Sequence, residues 1–376
     1  MRPWLLGLVL LVGVAILSAC SSAEKAVTPA PTAGARAPWE EEWQRVLAAA
    51  KQEGKVAVVG PAGAEARKAL SEPFEKKYGI SVEFIGGSGS EMGARLKTER
   101  SAGQYLWDIF VGGTTTQIET LKKSGGLDPV TSALILPDVT EPKNWRGGKV
   151  EFADKDGKYV LVFTTLAKAP IFVNSKLADP KELKSYKDLL NPKWQGKILV
   201  HDPRVSGPGQ ASFTFFYQNK ELGPDFIRSL AAQKLDLQRD SRQELDWLAQ
   251  GKYAILVAGS DFTAATLKKE GVPIEVVDHR QLKEKSYLTS GNGSVSLLNK
   301  APHPNAAKVF INWLLTKEGQ TEFARAQGYA SRRVDVPTDH LEPWILPEEG
   351  LWVSYDEDAV ELKDKVGTLL KEVFGD

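Results

Sequence analysis

The chain has 376 residues, with 48 basic residues against 48 acidic ones and a formal net charge of zero. With charge balanced and no basic block, nucleic-acid binding has no electrostatic support. A single cysteine excludes any internal disulfide, and the length exceeds what one hydrophobic core usually serves, so two lobes are expected.

Arg2 is followed by an apolar run over residues 5–17 and then by the sequence LSAC ending at Cys20. Crossing a bilayer as a helix takes about 20 apolar residues, so this run is an export signal rather than a membrane span. Leu17, Ser18 and Ala19 before the lone cysteine resemble a bacterial lipobox. That resemblance implies that the Cys20 thiol carries diacylglycerol and becomes the first residue of the mature protein. An ordinary export signal with a chance cysteine is the alternative. Residues 21–38 read SSAEKAVTPAPTAGARAP, without apolar periodicity. Such a stretch cannot bury enough surface to offset ordering entropy and is expected to be a disordered tether. The tether and a leading helix together occupy 21–53.

Strand, turn and helix then alternate. Residues 55–59, 81–85 and 108–111 are apolar strands, and each leads through a glycine, serine or threonine turn into a helix, over 65–78, 91–102 and 117–124. The pattern returns with strands at 197–200, 253–257 and 273–277 and helices at 210–219 and 262–270. Repeated strand–turn–helix units predict an α/β protein with mixed sheets flanked by helices. Ligands of open α/β sheets sit beyond the carboxyl ends of strands. There the free N–H groups of helix starts converge.

Several turn residues are therefore candidate ligand contacts. Ser88, Gly89 and Ser90 open one helix and suit an anion or hydroxyl, although an N-cap with turn glycines serves folding equally well. Thr114 and Thr115 are similar. Ser260 and Asp261 open another helix, where Asp261 either accepts from a ligand or caps the helix. Ser241 and Arg242 precede a further helix, and Arg242 either completes an anion site or lies on a solvated face. His201, His279, His303 and His340 are scattered without metal-ligand spacing, so no metal site is expected. No nucleophile–base or paired-carboxylate arrangement points to an enzyme, and no cofactor is expected. Trp39, Trp107, Trp145 and Trp194 are residues that could stack on sugars.

Residues 292–320, NGSVSLLNKAPHPNAAKVFINWLLTKEGQ, resemble the extracellular solute-binding proteins of ABC importers. So do SYKDLLNPKWQGKI at 185–198 and RRVD at 332–335 after GYA at 328–330. The nearest branch is the ferric-ion-binding-like one with the type II periplasmic-binding-protein fold. The resemblance implies two lobes joined by hinge strands, one over 54–168 plus 278–328 and the other over 169–277 plus 329–376. Segments 166–173 and 274–278 are the expected hinge. It also places Ser206 and Gly207, with Arg204 beside them, where relatives hold an oxyanion. An arginine fork suits carboxylate or phosphate, and a surface salt bridge is the alternative for Arg204. Ferric-binding relatives use a histidine, a glutamate and a tyrosine pair. At corresponding places this chain has Gly63 or Ala64, then Gly113, then Asp261 and Phe262. Neutral glycines supply no anionic oxygen to hard Fe(III).

The resemblance implies a monomeric, non-enzymatic binding protein, exported and lipid-anchored on the cell membrane facing the periplasm or exterior. It would capture a small, anionic solute between its lobes and present it to an ABC permease. The alternatives are a sugar or polyol ligand, Fe(III) held by a different ligand set, and a sensor module for a signalling partner.

Overall fold

A computed structural model describes residues 37–375. The export signal, Cys20 and residues 21–36 of the expected tether lie outside the described residues. The leading helix is present as Pro38–Glu53. It packs against the helix Pro304–Leu315, and its Glu53 carboxylate accepts from the free amides of Asn305 at 3.2 Å and Ala306 at 2.7 Å. That satisfies donors which every helix start leaves orphaned.

The strand–turn–helix grammar builds two separate sheets. The larger runs in the order Ser81–Gly87, Lys55–Pro61, Ile109–Gly112, Ser294–Leu298, Leu161–Val162, Glu151–Phe152, with Leu127–Asp128 also paired to Ser294–Leu298. Its first three strands are parallel, and Ser294–Leu298 enters antiparallel, Val295 opposite Val111. The smaller sheet runs Asp236–Gln238, Ile198–His201, Ile255–Val257, Ile171–Asn174, Ile274–Val277. Each sheet has apolar residues on both faces, because helices cover both sides. The chain is thus a two-lobe α/β protein, as its repeated units predict.

The segments expected to form the hinge belong to two different sheets. Ile171–Asn174 and Ile274–Val277 pair antiparallel inside the smaller sheet. A third, short sheet instead joins Leu166–Ala167, Tyr287–Thr289 and Trp352–Val353.

The family-like motifs serve packing. His303 of APHPN donates its amide to Asp108 at 2.7 Å and places its ring nitrogen 2.9 Å from the same carboxyl. Asp108 also accepts from the Ala57 amide at 2.7 Å, and burial raises its pKa. One buried carboxyl thus holds three segments. Phe310 and Trp313 pack edge-on against Phe74 at 5.0 and 5.5 Å. Arg333 of RRVD is buried between Asp138 and Asp335, and Trp194 lies in the smaller lobe's core. Among the described residues, no helix is long and apolar enough to cross a membrane.

Candidate functional site

One cavity of about 370 Å³ collects the turns beyond the carboxyl ends of the strands of both sheets. Gly89, Gly113 and Thr114–Thr116 line it from the larger sheet, and Ser206, Gly207, Ser241, Ser260 and Asp261 from the smaller one. Four helices of nine or more residues begin there, Gly89–Ser101, Pro208–Gln218, Ser241–Ala249 and Asp261–Lys269. Each contributes a partial positive charge at its start.

Local chemistry explains why the turns sit as they do. A Cβ on Gly89 would meet the Thr116 hydroxyl at 2.7 Å. Gly209 is held closer still: a Cβ there would lie 2.1 Å from the backbone oxygen of His201. Gly209→Ala must therefore push the start of its helix off the strand end, carrying Ser206 and Gly207 with it. The expected loss is about 1–3 kcal/mol, read from urea unfolding; an unchanged midpoint would show that the helix start yields freely.

Of the residues expected to contact ligand, Gly89, Thr114, Thr115, Ser206, Gly207, Ser241, Ser260 and Asp261 line the cavity. Gly63, Ser88, Ser90, Arg204 and Arg242 do not. Gly63 is the N-cap of Ala64–Tyr78, in a backbone conformation with φ 110° that favours glycine. Ser88 is an N-cap, accepting from the Glu91 amide at 3.3 Å, and the Ser90 hydroxyl lies 3.3 Å from it. The Arg204 guanidinium grips both carboxylate oxygens of Asp202, at 2.9 and 3.0 Å, and donates to the Phe374 carbonyl at 3.1 Å. Arg242 pairs with Asp246 one turn along its own helix.

Asp261 neither caps a helix nor stands free. Ser260 is the cap, accepting from the Thr263 amide at 3.3 Å. Asp261 instead accepts from the Ala169 amide at 2.8 Å and pairs with Lys168. Lys168 also donates to the Gly259 carbonyl at 2.6 Å and is only 4 % exposed.

The cavity also contains groups that are not among the expected contacts. Lys168, Lys363, Tyr287, Tyr329, Tyr355 and Asn292 all line it. The Tyr287 hydroxyl pairs with Ser212 at 2.8 Å and that of Tyr355 donates to Glu151 at 2.6 Å. Burial pushes the Tyr329 phenol up to about 12 and those of Tyr287 and Tyr355 higher. Lys363 sits on the last described helix, Glu357–Phe374, and donates to the Thr115 hydroxyl at 2.5 Å. Burial draws its ammonium down to about 8.

Among the lining residues Asp261 is the one carboxylate, and a lysine already neutralises it. The phenols are held protonated. Among the described residues, no group of three or more His, Cys, Asp or Glu side chains could hold a metal ion. Hard Fe(III) wants several anionic oxygens, so this lining does not fit a bare ferric ion as cargo.

A two-lobe α/β body with a cavity at the strand ends of both sheets is the architecture of a solute-binding protein. The model of the bacterial extracellular solute-binding protein family matches residues 69–345, and the chain belongs to that family. Its members are binding proteins rather than enzymes; they take up small solutes outside the cytoplasm and deliver them to ABC permeases. A curated relative from Haemophilus influenzae, described as an uncharacterized protein, is 26% identical over 315 residues, covering 83% of this chain and 87% of its own. Iron-bound HitA from Pseudomonas aeruginosa aligns with a TM-score of 0.67 at 17% identity, over 85% of this chain and 99% of its own. AfuA from Actinobacillus pleuropneumoniae, with fructose-6-phosphate bound, aligns with a TM-score of 0.65 at 20% identity, over 85% and 97%. The fold is the type II periplasmic-binding-protein fold, with ferric-binding proteins among its structural neighbours.

Proposed function

We propose that this protein captures a small anionic solute, such as a phosphate monoester or a carboxylate, for an ABC importer. The observation that carries the reading is the charge of the cavity. Four helix starts and two lysines meet there, against one carboxylate that is already paired. An anion is the ligand such a lining stabilises. Hydroxyls from Thr114, Ser206, Ser241, Ser260 and Thr289 surround the same space and suit a polyhydroxylated body. That AfuA, of similar fold, holds fructose-6-phosphate supports a phosphorylated sugar within the anion class. The solute would touch both lobes and so stabilise the closed state of a monomeric trap. Cys20, upstream of the described residues, would tether the protein to the cell membrane. Cys20→Ser should abolish acylation, which a labelled fatty acid would report.

The test is a thermal-shift panel of inorganic phosphate, fructose-6-phosphate, citrate, fructose, spermidine and Fe(III). A ligand at 100 times its Kd stabilises by about 2.7 kcal/mol. One or more of the anions should shift the melt while fructose and spermidine do not. A shift with Fe(III) or fructose alone would overturn the reading.

A further inference from the structure

Four lysine and arginine side chains are buried among the described residues: Lys168, Arg332, Arg333 and Lys363. Three have carboxylate partners, namely Asp261, Glu151, and Asp138 with Asp335. Lys363 is 8 % exposed and lines the cavity, yet no described carboxylate forms an ion pair with it, and its hydrogen bond goes to the neutral hydroxyl of Thr115. The two acidic groups that act on it from further off are each engaged through one oxygen, and the other oxygen of Glu119 is buried without a hydrogen bond. Glu119 pairs with Lys123 at 2.6 Å, and Asp356 caps the helix through the Ala359 amide at 2.8 Å. A buried charge is costly unless something compensates it.

The helix that carries Lys363 is fixed at both ends. At its start Glu357 pairs with Lys122 and accepts from the Lys155 amide at 2.7 Å. Further along, Val366, Leu369 and Leu370 enter the core around the smaller sheet, and Phe374 packs against Phe213 at 5.8 Å. Lys363 therefore has its position set by both lobes, and its backbone stays in register with the cavity.

We infer that Lys363 is the specificity-determining residue of the cleft, supplying the positive charge that recognises the anionic group of the solute. This rests on the reading of the cleft as an anion site and names the residue that does the recognising. The Thr115 hydroxyl accepts from the ammonium, and a bound anion would take it over as its counter-charge. Because burial draws the ammonium down to about 8, anion binding should weaken as pH rises through that value. Other titratable groups face the same space or sit on elements packed against this helix. Tyr287, Tyr355 and the Lys168–Asp261 pair share the cavity, and Glu119 and Lys122 lie on Thr116–Lys122. Tyr217, Asp225 and Arg228 lie on the two helices packed against it, Arg228 being paired with Glu372. Burial pushes the phenols of Tyr287, Tyr329 and Tyr355 up, away from that range.

The test is calorimetric titration of the full-length protein with inorganic phosphate, fructose-6-phosphate and citrate, from about pH 6 to about pH 10, for wild type, Lys363→Met and Lys363→Arg. Wild type should bind at least one probe, with affinity falling about tenfold per unit above about pH 8. Lys363→Met should bind that probe about 10- to 100-fold more weakly with no fall in that range. Lys363→Arg should stay within about tenfold of wild type and lose the pH dependence, since guanidinium remains charged. If wild type binds a probe and Lys363→Met binds it equally with the same pH profile, the inference fails while the anion reading stands. Should wild type bind none of the three, the anion reading itself fails, and this inference with it. A folded Arg variant that still loses affinity above about pH 8 also overturns the inference.

Discussion

Asp261→Asn should destabilise the protein by about 3–5 kcal/mol, the usual cost of stranding one member of a buried ion pair. Asp261 is 9 % exposed and Lys168 is 4 % exposed, so little water is available to replace a lost partner. The two carboxylate oxygens divide their work, one accepting from the Ala169 amide at 2.8 Å and the other pairing with Lys168. An asparagine offers one acceptor where two are needed, and it presents an N–H toward a donor. The ammonium would keep the Gly259 carbonyl but lose its counter-charge. Urea denaturation of the single variant and of Lys168→Met/Asp261→Asn would measure the effect. The double variant should regain a large part of the loss, because no charge is then left buried. If Asp261→Asn unfolds at the wild-type midpoint while a bound anion or amine loses affinity, Asp261 is a ligand contact and not a structural partner.

That pair shows where sequence reading succeeds and where it stops. The sequence places Asp261 at a helix start, because Ala258 to Asp261 lie between an apolar strand and an amphipathic segment. Such turns are legible because capping chemistry is local: Ser260 satisfies Thr263 three residues on, and Ser88 satisfies Glu91 in the same way. The partner of Asp261 lies 93 positions away, and no local pattern encodes it. Arg204 is held by its near neighbour Asp202 and also by the carbonyls of Phe374 and Gly375, and only the second restraint comes from the far end of the chain. Conversely, Tyr329 and Asn292 belong to the segments that carried the family resemblance, yet that resemblance did not single them out as cavity residues.

Lys363 did leave a trace. Ala359, Val360, Lys363, Val366 and Leu370 fall at helical spacing on one buried face of Glu357–Phe374. A lysine on an apolar stripe breaks the pattern that a helix needs to bury itself, and such a break points to a functional site. Its partner Thr115, 248 positions earlier, was expected to serve the ligand or cap a helix. Although Thr115 stands at the start of Thr116–Lys122, its side chain makes no cap bond. Its hydroxyl is given to Lys363 instead.

A residue kept for binding at the expense of the fold should show that expense directly. In the empty protein, Lys363→Met should unfold at a higher temperature than wild type at neutral pH. Burial lowers the folded-state pKa from 10.5 to about 8, so the unfolded chain holds its proton more tightly. Below about pH 8 the group is charged in both states, and the folded state bears the whole penalty, about 3 kcal/mol by linkage. Between about 8 and 10.5 the folded lysine is neutral while the unfolded one is still charged, so wild-type stability climbs with pH across that window. The advantage of the methionine should therefore be about 1–3 kcal/mol near pH 7, after the lost Thr115 bond is discounted, and should vanish toward pH 10.5. Saturating phosphate should reverse the order at neutral pH, since the anion stabilises the folded wild type and not the variant. Melting curves of both proteins across this range, with and without phosphate, decide the matter. A methionine variant that melts lower than wild type at pH 7, by a margin that does not change with pH or phosphate, would make Lys363 a structural residue.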